Sequence, residues 1–474
     1  MSIAVFLLGL ALCVDEASSQ FWKNLKNRVS GGNKRDDSII GDKSKQNEKD
    51  DTGVEYTQIA LEQGVPVVIL SNRNALPLVG LGVGNLQHYM VPLMVASAVQ
   101  DDKKTRMFDT SHISDNEHLL AEGINQGLER LNKSSGEKIT IHVVTKVWYT
   151  YLGYERTKLS IKESFESLKE TTSNPKVDLK VHILLHWPRC YDNISWMSCE
   201  EDEARMPEHV RQAGPPPHKD KENAWKGSWK ALEEAYLADE FAIESIGVAN
   251  FHLKDLEELN KFAKVEPHVL QINVWSLLYD PMLIDHCHRN KIHVQVYNVM
   301  SGILTEPEKA PNAYHHLQKI ASDLSEGMTE EISPAQVVLA WLMQHGVSLV
   351  PRTSRLSRLQ ENSAVSLAGV PELSDLQVET VAHAVEAFLS QNDLEEDIHV
   401  KVTFHATTMD TFLYWTAPDG GEVQIALIPK GETFNETTYP NHNFRLYNAR
   451  NKDHFIDYKV GAKFGEHEDV HAEL

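Results

Sequence analysis

Cysteine is scarce in this chain, with four residues in 474. That excludes a disulfide-dense scaffold. Long apolar runs are scarcer. Beyond the stretch Ile3–Val14 no segment approaches the roughly 20 apolar residues that span a bilayer. Positive charge is also short: 46 Lys and Arg stand against 68 Asp and Glu, a formal net charge of −22. Such a balance argues against a nucleic-acid groove. No grouping of ligand residues calls for a metal.

The two ends carry addresses rather than fold. The short run Ile3–Val14 is followed by Ala17, Ser18 and Ser19. It reads as a secretory signal peptide over residues 1–19, although its start lacks a positive charge. An N-terminal anchor is the competing reading, and the run is short for one. His471-Ala472-Glu473-Leu474 has the form of an ER-retrieval tetrapeptide. Together they place the chain in the endoplasmic reticulum lumen. Cys13 would leave with the signal. Cys190 and Cys199 share one loop and can form a local disulfide in an oxidising lumen, leaving Cys287 as a buried thiol. Sequons at Asn132, Asn193 and Asn435 mark surface glycan positions.

Residues 20–56 are polar and charged, and read as a disordered linker. From 57 to 395 short apolar runs alternate with helical stretches. The runs are LPLVGLG (76–82), TRMFDT (105–110), ITIHVVTKVW (139–148), VHILLHWP (181–188), SIGVAN (245–250), VLQINVW (269–275), IHVQVYNV (292–299) and VSLVPR (347–352). Between them Ile161, Phe165 and Leu168 share a helical face, as do Trp225, Trp229, Leu232 and Tyr236. Eight strands, each followed by a helix, predict an α/β fold of the (β/α)8 TIM-barrel type. Over 396–462 the period changes to two. Val400, Val402 and Phe404 alternate with polar residues, and FLYWTAPDGGEVQIALIP reads as a hairpin turning at Asp419-Gly420. A small all-β sandwich follows the barrel, and 463–474 reads as a mobile acidic tail.

In such a barrel the chemistry collects at the C-terminal strand ends. Asp109 ends the second run, Lys146 the third and His186 the fourth. A carboxylate can hold and tune an ammonium, and a histidine can orient a carbonyl oxygen. The motifs LPLVGLG, FDTSHISDNE, TKVW, LLHWP, SIGVANFHLKDLEEL, SPAQVVLAW and PRTSRLSRLQEN resemble, in order, those of the aldo-keto reductase family over about residues 65–390. The resemblance implies a carbonyl reductase acting on small aldehydes or ketones with NADPH. Asp109, Lys146 and His186 match three members of the family's Asp-Tyr-Lys-His tetrad. Ser114 stands where the tyrosine should be, in MFDTSHISDNEHLL. Its loss removes the usual general acid, worth about 10²–10⁴-fold. Tyr149 and Tyr151 offer substitute phenols, the competing reading being surface loop tyrosines.

The same resemblance assigns Asn250 and Gln271 to the nicotinamide amide and Tyr297 to stacking on its ring. It assigns Arg352, Thr353 and Arg358 to the 2′-phosphate of NADPH, and Glu361 and Asn362 to the adenine. Ala249 replaces a usual serine, and Val83-Gly84 replaces a usual Thr-aromatic pair. Residues 399–460 resemble the β domain of the von Hippel–Lindau tumour suppressor. Trp415, Thr438 and His442 keep its hydroxyproline-pocket types, while Ile425 and Phe444 replace a tyrosine and a tryptophan. That implies a peptide or protein partner for the β domain, against a plain packing role. Two functions compete: a reductase with a missing acid, and a catalytically silent barrel that binds nucleotide or protein.

Overall fold

The computed structural model describes residues 58–100, 105–131, 138–238, 241–344, 346–390, 393–394, 400–416, 422–439, 441–461 and 465–474. The signal peptide, the linker, Asn132 and the Asp419-Gly420 turn lie outside them. The described residues form two compact units. One holds 58–300 and 335–372; the other holds 301–334 and 373–474. The division runs differently from the expected boundary at 395, because the helices Pro311–Ser325 and Asp375–Ser390 group with the C-terminal strands.

The first unit opens with an antiparallel sheet of β1 (Gln58–Glu62), β2 (Val65–Ile69) and β3 (Ala75–Pro77). Then come eight parallel strands in sequential order. They are β4 (Leu81–Gly82), β5 (Met107–Asp109), β6 (Ile139–Val147), β7 (Val177–Leu185), β8 (Ile243–Ala249), β9 (Val269–Asn273), β10 (His293–Tyr297) and β11 (Ser348–Leu349). A parallel bridge from Val79 to Leu349 joins the last strand to the approach of the first. Gly80 N donates to Leu349 O, and Gly82 N to Pro351 O. The sheet closes into the expected barrel.

All nine residues of β6 are buried. A β-branched run covered on both faces is what a central parallel strand requires. Gly247 on β8 meets β9 so closely that a Cβ there would lie 2.3 Å from Val269 O. Gly123 and Gly127, one turn apart on the helix Glu117–Arg130, let the helix Met90–Gln100 approach. A Cβ at either would lie 2.7 Å from Val95 or Val99. Trp225, Trp229 and Leu232 are buried as their spacing predicts. The helix Pro334–Gln344 starts on its proline and is followed by Gly346 at φ 74°.

In the second unit β12 (Val400–Ala406), β15 (Thr433–Thr438) and β18 (His467–Ala472) form one sheet. The other holds β13 (Thr411–Thr416), β14 (Glu422–Ile428), β16 (Asn443–Asn448) and β17 (Asn451–Lys459). Val400, Val402, Phe404, Leu413, Phe444 and Leu446 form the core. β13 and β14 pair antiparallel as the hairpin reading expects. The expected mobile tail is instead a strand: β18 runs parallel to β12, with Ala472 buried in the core. Its alternation, apolar Val470 and Ala472 between polar neighbours, suits a half-buried strand better than a solvated tail.

Candidate active site

Asp109, Lys146 and His186 come together at the C-terminal ends of β5, β6 and β7, all within the first unit. Lys146 Nζ donates to Asp109 Oδ1 at 2.7 Å and to Thr110 O at 2.7 Å. Both side chains are largely buried. Gln271 Nε2 also donates to Asp109 Oδ1 at 2.7 Å, and to Gln295 Oε1 at 2.7 Å. One carboxylate oxygen thus ties the lysine strand to β9. Gln295, buried on β10, was not singled out from the sequence; its inward register on a barrel strand is the signal.

His186 follows β7, its amide donating to Val147 O. Its Nδ1 is buried without a partner. Burial, and then the charge of Lys146, holds its pKa well below the ordinary value. The ring is neutral at pH 7 and can donate one hydrogen bond without adding charge.

Ser114 does not take the tyrosine's part. It lies in a short 3-10 turn, His112–Ser114, and its Oγ bonds Ser111 Oγ at 2.8 Å. The ammonium instead spends a donor on the Thr110 carbonyl. Asn116 and Glu117 are buried supports: Asn116 donates to Val83 O at 3.0 Å, and Glu117 accepts from Thr145. Tyr149 and Tyr151 correct both readings made of them. They are buried, at 2% and 5% exposure, so they are not surface tyrosines. Neither is a primed acid. The Tyr149 hydroxyl donates to Asp202, and burial followed by a neighbouring carboxylate raises both phenols above their ordinary pKa.

The residues that the resemblance assigns to a cofactor all lie in the same unit. Asn250 sits at φ 58° and donates to His186 O at 2.9 Å; its Oδ1 accepts from Tyr297 at 2.7 Å. Asn250 is one of the few residue types that adopt this left-handed conformation readily. Arg352 and Arg358 are exposed, and Thr353 is buried with its Oγ1 accepting from Arg355 N. Asn362 is 6% exposed, and its Nδ2 is buried without a partner. A buried amide left unpaired costs roughly 1–3 kcal/mol, which a ring nitrogen of an adenine would relieve. The donor set therefore fits a phosphorylated dinucleotide: two cations, a hydroxyl and an orphan amide, with Glu361 beside them.

In the long loop after His186, Cys190 and Cys199 form the expected disulfide. Further contacts there were not legible in the sequence. Arg156 makes a bidentate pair with Glu203 at 2.8 Å and also donates to Gly214 O and Thr150 O. Cys287 is free and buried, as expected. In the second unit Trp415 and His442 are neighbours, but Thr438 Oγ1 and His442 Nδ1 bond each other at 2.8 Å. His442 Nε2 lies 3.5 Å from Glu379 of the helix Asp375–Ser390, and Tyr439 pairs with Thr380. Phe444 does not help enclose a pocket; it is 2% exposed in the sandwich core.

Comparison with known proteins bears on the family and the fold. A model of the Aldo/keto reductase family matches residues 93–386. The 9,11-endoperoxide prostaglandin H2 reductase of Trypanosoma cruzi is 28% identical over 62% of this chain and 84% of its own. The glyoxal reductase of Bacillus subtilis is 27% identical over 63% and 86%. A solved structure of Bombyx mori aldo-keto reductase in complex with NADP covers 68% of this chain and 92% of that one, with TM-score 0.50 and 19% identity. The closed eight-stranded barrel, the Asp109–Lys146 pair at its C-terminal end and the family match over more than half the chain lead to one conclusion: the chain belongs to the aldo/keto reductase family.

Proposed function

We propose that the protein is a nicotinamide-dependent carbonyl oxidoreductase that prefers NADPH and works without a phenolic acid. The observation that carries this reading is the Lys146–Asp109 pair, held at 2.7 Å beside His186. Arg352, Thr353 and Arg358 would hold the 2′-phosphate, Glu361 and Asn362 the adenine, and Asn250, Gln271 and Tyr297 the nicotinamide. The cofactor supplies hydride when bound. The chain's own groups manage the oxygen. His186, neutral, donates a hydrogen bond to the carbonyl. Lys146 uses two of its donors on Asp109 and Thr110, and its positive charge stabilises the developing alkoxide. A water beside Ser114 delivers the proton. Fluorescence titration with NADPH and NADH, followed by aldehyde turnover in wild type and Lys146→Met, tests the reading. Turnover that survives Lys146→Met defeats it.

A second reading, a catalytically silent nucleotide-binding barrel, is favoured by one observation. Ser114 is turned to Ser111, and Thr110 O takes the lysine donor. NADPH binding with no turnover of any aldehyde would select it.

For the C-terminal strands, the closed Thr438–His442 pair supports a packing role over hydroxyproline recognition. Calorimetry with matched proline and hydroxyproline peptides tests this, and selective binding would restore the peptide partner. The endoplasmic reticulum lumen remains our proposed compartment. The Cys190–Cys199 disulfide supports it, since such bonds persist where the milieu is oxidising.

A further inference from the structure

Gln295 is fully buried on β10, between Val294 and Val296, and pairs in register with Gln271 on β9. A carboxamide is destabilising inside a barrel unless it is paired. Burial strips it of water, and each polar atom must then find a partner. Its oxygen finds one, accepting from Gln271 Nε2 at 2.7 Å. Its nitrogen finds only the Met107 sulfur, at 3.6 Å, and a thioether is a weak acceptor. A methionine or leucine would fill the same space without that loss. Filling space does not account for the amide, so its oxygen must.

That oxygen fixes which end of Gln271 faces the site. Because Gln295 Oε1 needs a donor, Gln271 turns its NH2 group toward it. The same nitrogen then donates to Asp109 Oδ1 at 2.7 Å. The Lys146 ammonium donates to that same oxygen at 2.7 Å. One carboxylate oxygen therefore serves two donors. The far end of the row is fixed as well. Met107 lies two residues before Asp109 on β5, and a Cβ on Gly80 would lie 2.9 Å from the Met107 Cε. That close fit holds the sulfur in place. Three strands, β5, β9 and β10, thus meet through one chain of buried side chains that ends on the Asp109–Lys146 pair.

We propose that Gln295 is a positioning residue: its carbonyl holds the Gln271 amide on Asp109, and the shared carboxylate leaves more of the Lys146 charge for the substrate oxygen. The inference deepens the carbonyl-oxidoreductase reading and rests on it. A carboxylate oxygen that accepts a second donor neutralises the first less fully. The ammonium then presents a stronger field to the alkoxide that forms on hydride transfer. The gain grows as that charge develops, so it acts on kcat and not on substrate affinity. In a site without a phenol, the ammonium is the group on which that stabilisation falls.

The test uses the full chain with Gln295→Met, close in volume but without the amide, and Gln295→Leu if the methionine variant fails to fold. Crystal structures of wild type and variant are expected to show Gln271 leaving Asp109 while β9 and β10 keep their register. With NADPH and an aldehyde, kcat should fall about 5- to 10-fold with KM within about twofold. In a Gln271→Met background the same substitution should lower kcat no further, because a residue that acts through another has no effect once that one is gone. Gln271 still bonded to Asp109 in the variant overturns the proposal. So does an equal loss of kcat in both backgrounds, or a change in KM with kcat unmoved. If no aldehyde turns over, the catalytic reading fails, and the crystal structures alone decide the positioning. If turnover is robust and indifferent to Gln295→Met, the positioning fails and the catalytic reading stands.

Discussion

Ser114 Oγ lies 3.1 Å from the point where a Cβ on Gly84 would sit. By the family resemblance, Ser114 falls where the tetrad tyrosine is expected and Gly84 where a substrate-side aromatic residue is expected. Here the two small residues pack against each other.

The first prediction is that Ser114→Tyr raises aldehyde turnover by roughly 10-fold or more, within the range of general acid catalysis. Lys146→Met should abolish the gain, because the phenol needs the ammonium to lower its pKa. Steady-state kinetics of the single and double variants decide the matter. An unchanged rate in Ser114→Tyr would mean that another donor is in place.

Cofactor preference is the second. NADPH should bind more tightly than NADH, and Arg352→Ala or Arg358→Ala should each weaken NADPH by roughly 10-fold while sparing NADH. Fluorescence titration reads both. Parallel losses for the two cofactors would remove the arginines from the 2′-phosphate.

Acid stability is the third. Glu62, His142, His182 and Ser245 form a hydrogen-bonded row inside the barrel, with steps of 2.7, 3.0 and 2.7 Å. Burial, followed by His142, holds His182 well below the ordinary value of 6.5. Burial lowers His268 to about 4, and burial with His288 lowers His293 to about 3. The unfolded chain takes protons that the folded chain refuses. Stability should be full above pH 6.5 and fall as the pH drops toward the folded values, by about 3 kcal/mol for His268 alone. Melting temperatures at pH 7.5 and 5 test this, and His268→Gln should flatten the slope. A melting temperature that rises on acidification contradicts it.

The fourth concerns the loop anchor. Glu203→Ala leaves the Arg156 guanidinium buried and unpaired, so unfolding should cost about 3–5 kcal/mol less. Denaturant titration measures it. A loss under 1 kcal/mol would mean that Gly214 O and Thr150 O suffice.

The last concerns the C-terminus. Deleting His471–Leu474 would also take Ala472 from the core and the Leu474 carbonyl from Thr408. Appending Gly-Ser after Leu474 keeps the strand and hides the tetrapeptide's end. The extended chain should be exported with an unchanged melting temperature. Its retention would assign the compartment to another signal.

Periodicity made the barrel legible, and the reason is local. A strand covered on both faces must be mostly apolar, as Ile139–Val147 is at Ile139, Ile141, Val143, Val144 and Val147, and a helix on a barrel must show one apolar face, as Trp225, Trp229 and Leu232 do. Motif order then placed Asp109, Lys146 and His186 at three successive strand ends, where the structure brings them together. Ser114 was visible as a gap for the same reason: it is a residue type at a fixed offset from Asp109.

What the chain does with those residues was decided in three dimensions. That Gln271 and Lys146 share one oxygen of Asp109, and that the Tyr149 hydroxyl finds Asp202, are contacts between segments far apart in the chain. No local pattern encodes them. The same holds for the loop after His186, where Arg156 finds Glu203 and Trp148 finds Trp196. Nor does composition show that a charged tail becomes a strand: Val470 and Ala472 acquire an inward face only when β12 offers them a partner. The sequence determined the barrel, the strand ends and the missing phenol, because hydrophobic period and residue type act within a few residues. Only the tertiary structure decided the hydrogen-bond partners and the stacking of Trp148 on Trp196, because those depend on which distant groups burial forces together.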